Sequence, residues 1–300
     1  KRPCVAAIGG ITPEMVDNVL KRLPQETRQG SIMPEMSAAL ERCCREVLLS
    51  DQVQRYDTLR QQTTAINAML SQRYFTDRCP QYLWMPMETI TAKLLAKDLR
   101  SDGTLLHQML FSMRLRAALL RELDGVAGCW TGDTGGTHFF WGLDSRNILF
   151  PLRLREEAGE TVLAGQNSLG EDVTVSFTPQ ALTEGLLAQT LLPGIFLCFL
   201  EIHFLRDFTV FGGYYQPTYL AQMSRGMVQA MRELGGFDEE TAVIEAKRSD
   251  MTLGLIYLLR SHGAGLFPVS TAELMERPVS TAEIEERLEM PVSEALAMLR

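Results

Sequence analysis

Three stretches of this 300-residue chain hold the side chains best suited to chemistry. The first is Gly132-Asp133-Thr134-Gly135-Gly136-Thr137-His138-Phe139-Phe140-Trp141-Gly142. Adjacent glycines let a backbone approach a ligand and turn its amides toward an anion, while Asp133 can orient a metal or hydroxyl and His138 can carry a proton. The second is the apolar run Leu191 to Phe208, interrupted by Glu201 and His203. A buried carboxylate costs several kcal/mol, of order 3–5 when left alone, so Glu201 is expected to be paired, protonated or facing a cavity. On an α-helix Glu201 and His203 do not share a face, and Arg206, five residues on, meets Glu201 only loosely. The third is Gly212-Gly213-Tyr214-Tyr215-Gln216, where two phenols and an amide follow a tight turn.

From these the expected site is a pocket between the two glycine turns. His138, Glu201 and Asp133 are its catalytic groups, and Gly135, Gly136, Trp141, Gly212, Gly213, Tyr214, Tyr215 and Gln216 bind substrate. The plainer readings are a glycine-rich hairpin with its aromatic rings in the core, a structural ion pair at Glu201, and tyrosines covering a sheet end. His107 reads as a boundary histidine on an apolar helix and His262 as a loop residue. The segment Asp-x-Gly-Gly-Thr at 133–137 resembles the phosphate loop of the actin-like sugar and acetate kinase superfamily, and Phe208 to Gly213 is similar to that superfamily's adenosine-side turn. That resemblance implies two ribonuclease-H-like lobes, for which the roughly 80 residues between the turns are too few, so the kinase reading is set aside. No nucleophile elbow, Walker loop, zincin motif, dinucleotide fingerprint or kinase catalytic loop occurs.

The elements that must position these groups follow from periodicity and capping. Val5 to Ile8 reads as a strand and not as a signal peptide, because glycines and acids follow within a few residues. Thr12-Pro13 opens a helix carrying Met15, Val16, Val19 and Leu20. Residues 34–123 are helical almost throughout, with stripes Met36, Leu40, Cys43, Val47 and Leu59, Thr63, Ile66, Leu70, a helix from about Met87, and another from near Asp102 to Gly125. Aromatic and β-branched segments at Thr137 to Leu143, Ile148 to Leu154, Thr161 to Ala164 and Val173 to Phe177 then form an antiparallel meander. Thr178-Pro179 starts a further helix, Phe208 to Phe211 is strand-like, and about Pro217 to Leu234 is helical again. Pro268-Val-Ser-Thr-Ala-Glu recurs at Pro278, each copy a capping box, and residues 278–300 resemble a helix-turn-helix unit. The expected fold is α+β: a helical N-terminal layer, a central mainly antiparallel sheet covered by helices, and a short helix-turn-helix-like tail. The expected domains are 1–124, 125–265 and 266–300.

Charge and composition narrow the function. The net charge of −8 repels phosphate backbones and anionic lipid. Residues 268–300 carry seven acidic and three basic side chains, which disfavours nucleic acid even for the tail. The longest apolar stretch, Leu191 to Leu200, holds a proline and a glycine and is about half the roughly 20 residues of a membrane span. Six irregularly spaced cysteines give no metal-ligand pattern and read as reduced thiols of a cytoplasmic protein. The sequence therefore points to an enzyme on a small molecule, of the transferase type, working by group transfer on an anionic substrate. No cofactor or metal is specified, and a homo-oligomer is compatible with the composition. The competing readings are a ligand-sensing or adaptor protein whose tail binds a protein or nucleic acid, and a purely structural subunit with methionine-rich helices.

Overall fold

The computed structural model describes residues 4, 8–74, 83–132, 135–206, 208–213, 215–250, 259–262, 265–268, 280–289, 291 and 293. The expected strand at Val5 to Ile8 falls mostly outside them, as does the last expected helix from Ser293. Contacts divide the chain into two units, residues 9–84 with 256–300 and residues 1–8 with 85–255.

Residues 9–84 form helices. Thr12 caps α1 (Pro13–Arg28) by accepting the Met15 amide at 3.3 Å, with Pro13 in the first turn where its missing N–H costs nothing. Only Val16 and Leu23 of α1 are buried, while Met15 and Val19 of the expected stripe face outward. Then come α2 (Pro34–Cys43), a π-helical turn at Cys44–Leu48, α3 (Asp51–Gln54) and α4 (Leu59–Tyr74). Two side-chain amides tie these segments together beside the apolar packing. Buried Gln62 accepts from the Ile11 amide at 2.6 Å and donates to the carbonyls of Ile11 and Tyr56, and Gln54 donates to those of Ile11 and Leu48.

Residues 85–250 hold the main hydrophobic core and the strands. Helix α5 (Met87–Asp98) starts where the periodicity predicts. The single helix expected over 102–125 is instead two, α6 (Leu105–Phe111) and α7 (Met113–Glu122). Ser112 adopts an extended conformation between them and caps α7 with its hydroxyl. A short hairpin follows, β1 (Trp130–Thr131) with β2 (Gly135–Gly136), and then β3 (Phe140–Leu143) and β4 (Leu149–Pro151). A turn at 144–147 joins β3 to β4, with the Asn147 amide on the Asp144 carbonyl at 2.9 Å. The Asp144 carboxyl accepts the amides of Arg146 and Ile148, and Ser168 and these amides hold it down to about 2.

The meander does not make one central sheet. Trp141 pairs with Pro151, which has no N–H to extend the ladder. The next residue, Leu152, gives its amide to the Thr137 hydroxyl and its carbonyl to the His138 amide. The chain therefore leaves one sheet and starts another: β5 (Arg153–Glu157), β6 (Glu160–Gln166) and β7 (Asp172–Ser176) pair in sequence order. Thr178 then caps α8 (Pro179–Leu187) as expected. The apolar run from Leu191 divides into β8 (Leu191–Pro193), which joins the other edge of β3, α9 (Ile195–Phe199), and a second π-helical turn at Leu200–Phe204. Phe208 to Phe211 form no strand, and both rings are exposed. Helices α10 (Gln216–Leu234) and α11 (Asp238–Ala246) complete this unit, with α7 packed along α10. The result is a mixed α+β chain with small antiparallel sheets between N- and C-terminal helices.

Of the tail, the described parts are an antiparallel hairpin, β9 (Leu259–His262) with β10 (Gly265–Pro268), and α12 (Thr281–Leu288). His262 thus ends a strand instead of lying in a loop. Among the described residues no helix is long and apolar enough to cross a membrane.

Candidate functional site

The glycine turn at 132–136 is the tip of the β1–β2 hairpin, and its polarity is the reverse of an anion-binding loop. Arg153, at the start of β5, reaches across to it: Nη1 donates to the Gly132 carbonyl, and Nη2 donates to the carbonyls of Gly135 and, at 3.2 Å, Gly136. The Gly132 amide is held by the Asp124 carboxylate at 2.7 Å. Gly136 has φ +72°, and a Cβ there would lie 2.9 Å from the Cys129 carbonyl, so the hairpin requires glycine at this position. The Arg153 charge is capped by neutral carbonyls, and among the described residues no carboxylate pairs with it. His138 stands beside it, with Nε2 3.1 Å from Arg153 Nη1 and Nδ1 accepting the Leu154 amide at 3.2 Å. Its ring meets Trp130 edge-on at 5.5 Å between centroids. Asp133 and Thr134 lie outside the described residues.

Behind Trp130 lies a niche of about 140 Å³ walled by Trp130, Phe139, Trp141 and Phe196, with Gly128 and Gly194 leaving the space open. Apolar cavities of about 150 Å³ accept benzene. Phe139 reaches its place with φ +64°, an unfavourable conformation for a bulky L-residue, worth of order 1–3 kcal/mol. The strain is held by the Gly194 amide on the Phe139 carbonyl at 2.6 Å and by rings of Trp130 and Phe196 against its own. Burial pushes the Cys129 thiol, also on the wall, up to about 12, so it is no thiolate nucleophile.

Glu201 belongs to a different network. It is fully buried on the second π turn, where one oxygen pairs with Arg206 Nη1, while Arg206 Nη2 binds Asp98 at 2.8 Å. The expected looseness of this pair is corrected at the end of the turn: Arg206 lies in the bend just after it and reaches back to Glu201, Nη1 donating to the carboxylate and, at 3.0 Å, to the main-chain carbonyl. The other oxygen, Oε1, has no partner among the described residues. Loss of solvent pushes the carboxyl up to about 7 against the opposing pull of Arg206, with Asp98 adding to the rise. His203, equally buried, donates Nδ1–H to the Phe208 carbonyl at 3.1 Å, since a carbonyl can only accept, and this leaves Nε2 as a buried lone pair without a partner. Burial holds its pKa below the ordinary value, and Lys247 adds to that effect. None of the partners of Glu201 belongs to the hairpin.

The second glycine turn is a bracket for the chain. Gln216, buried at the start of α10, donates from Nε2 to the Val210 carbonyl at 3.1 Å, and its backbone N–H donates to the Gly213 carbonyl at 2.9 Å. A Cβ on Gly212 would overlap the Gln216 side chain. Tyr215 is exposed, and Tyr214 lies outside the described residues. The structure therefore gathers Gly135, Gly136, His138 and Trp141 around the hairpin and niche. It places Gly212, Gly213, Tyr215 and Gln216 in a separate turn and Glu201 in a buried ion network. Sequence reasoning missed Arg153, Phe139 and Asp98: a cation alternating along a strand, a ring in an aromatic run and an acid at a helix end give no signal of these tertiary roles. Among the described residues no group of three or more His, Cys, Asp or Glu side chains could hold a metal ion. No protein-family model, no curated protein and no solved structure matches this chain.

Proposed function

We propose that the protein is an enzyme of the group-transfer class acting on a small anionic molecule, with the anionic group at Arg153 and an apolar ring in the niche behind Trp130. One observation carries this reading: a guanidinium that among the described residues has carbonyl partners and no carboxylate, beside an imidazole whose ring meets Trp130, the residue that also walls a benzene-sized aromatic hollow. The anion is recognised by the arginine, where the sequence alone pointed to glycine amides. His138 is the proton carrier for the transferred group. The free cysteines among the described residues support a cytoplasmic setting.

The test compares phenyl phosphate and benzoate with neutral phenol by NMR titration. The two anions are expected to bind at least about tenfold more tightly than phenol, a preference worth about 1.4 kcal/mol. Arg153→Met removes the preference while phenol binding persists. Release of nitrophenolate from aryl phosphate, sulfate or acetate esters then identifies the group transferred, and His138→Ala lowers that rate without weakening binding. Equal binding of phenol and phenyl phosphate to the unaltered protein overturns the reading.

A further inference from the structure

A cleft larger than the niche behind Trp130 lies elsewhere in the 85–255 unit, and its charges select a different ligand. It has a volume of about 580 Å³, within the range of roughly 300–1,000 Å³ typical of small-molecule sites, and lies where the end of α7 and the following loop face α10 and α11. Gln222, Arg225, Gln229 and Arg232 line it with spacings of three, four and three, so one stripe of α10 gives it four long hydrogen-bonding side chains. Gly226, on the same helix, lets the end of α7 pack close at the floor: a Cβ there would lie 2.6 Å from Leu123 Cδ2 and 3.1 Å from the Glu122 carbonyl.

The charges can be sorted by their partners. Arg232 is neutralised by Glu245 at 2.9 Å, and Glu122 by Arg121 at 3.0 Å. Two charges are left for a ligand. Arg225 is exposed and has no ion-pair or hydrogen-bond partner among the described residues. Asp124 uses Oδ1 for the Gly132 amide and has no ion-pair partner among the described residues. Asp124 also sits just beyond the C-terminal end of α7, where the helix dipole favours a cation. One wall therefore attracts a cation and the other an anion.

We propose that this cleft binds a zwitterion of the amino-acid or short-peptide class, its carboxylate on Arg225 and its ammonium on Asp124. The stripe amides of Gln222 and Gln229 serve the peptide or side-chain polar groups. The two sites touch through the Asp124–Gly132 hydrogen bond but share no ligand-binding side chain, and this assignment does not depend on the one at Arg153.

The experiment is calorimetric titration at low salt with L-alanyl-L-alanine, its N-acetyl form, its C-terminal amide, and free alanine. The dipeptide is expected to bind saturably, and each blocked form at least about fivefold more weakly. In Arg225→Met the C-terminal amide and the parent bind alike. In Asp124→Asn, which keeps an acceptor for the Gly132 amide, the N-acetyl form and the parent bind alike. Free alanine binding as tightly as the dipeptide identifies an amino-acid site, and weaker binding a peptide site. Phenyl phosphate binding is unaffected by Arg225→Met, so failure here is distinguishable from failure at Arg153. Absence of saturable dipeptide binding, or equal binding of the blocked and parent forms to the unaltered protein, overturns the proposal.

Discussion

Glu201 is a residue whose ionisation the fold opposes, and the direction of its effect on stability follows. Its carboxyl is raised from 4.5 to about 7, so the folded chain holds the proton more tightly than the unfolded chain does. The stabilisation is complete below about 4.5 and is lost as pH rises through about 7. The shift corresponds to at most about 3 kcal/mol. His203 has the opposite sign: its lowered pKa gives stability that is lost as pH falls below its ordinary value. Urea denaturation across pH 4.5 to 7.5 is expected to show a decline in the wild type that Glu201→Gln flattens, with the acid-side loss from His203 retained. Equal slopes in the two proteins would show that the carboxylate is already ionised at the lower pH. The sequence identified Glu201 as an anomaly in an apolar run, which was enough to find it. Its partner was misjudged because a continuing α-helix was assumed, whereas the helical turn ends at Phe204 and the bend after it brings Arg206 back onto Glu201.

At the scale of elements, capping signals were the most legible part of the chain. Thr12-Pro13 and Thr178-Pro179 open α1 and α8 as read, because a hydroxyl that satisfies a free amide is a local interaction. Strand positions were also legible, but sheet membership was not. The change of sheet at Leu152 depends on the hydroxyl of Thr137, fifteen residues away, accepting its amide. The same limit applies to the glycine turn, whose function was inferred from its amides while its carbonyls were claimed by Arg153. Helix packing gives a sharper test at Gly226. Alanine there gains about 1 kcal/mol of helix propensity. Its methyl group, however, would press on Leu123 and on the fixed Glu122 carbonyl. Gly226→Ala is expected to destabilise by about 1–2 kcal/mol in denaturant unfolding; a stabilised variant would show slack between α7 and α10.

For the whole molecule, the distribution of buried apolar groups sets the order of unfolding. The main core draws its buried members from residues 92–244, including Leu95, Leu119, Phe140, Met223, Met227 and Met231, whereas residues 9–74 rely on few buried apolar side chains and on the amides of Gln54 and Gln62. Native-state hydrogen exchange is therefore expected to be slowest in α7, α10 and β6. Amides of α1 to α4 should exchange at least about a hundredfold faster through partial opening. Uniform protection across both units would contradict this ordering. Each unit also carries a π-helical turn, Cys44–Leu48 in one and Leu200–Phe204 in the other. Such a turn is an ordinary helix that has absorbed one surplus residue. A single-codon deletion at the exposed Arg45 or Glu46 of the first turn would let the helix close at normal pitch, whereas the same deletion in mid-α10 would rotate every following side chain by about 100°. The second turn has no such spare position in its middle, because Glu201 and His203 there are buried and Glu201 holds Arg206.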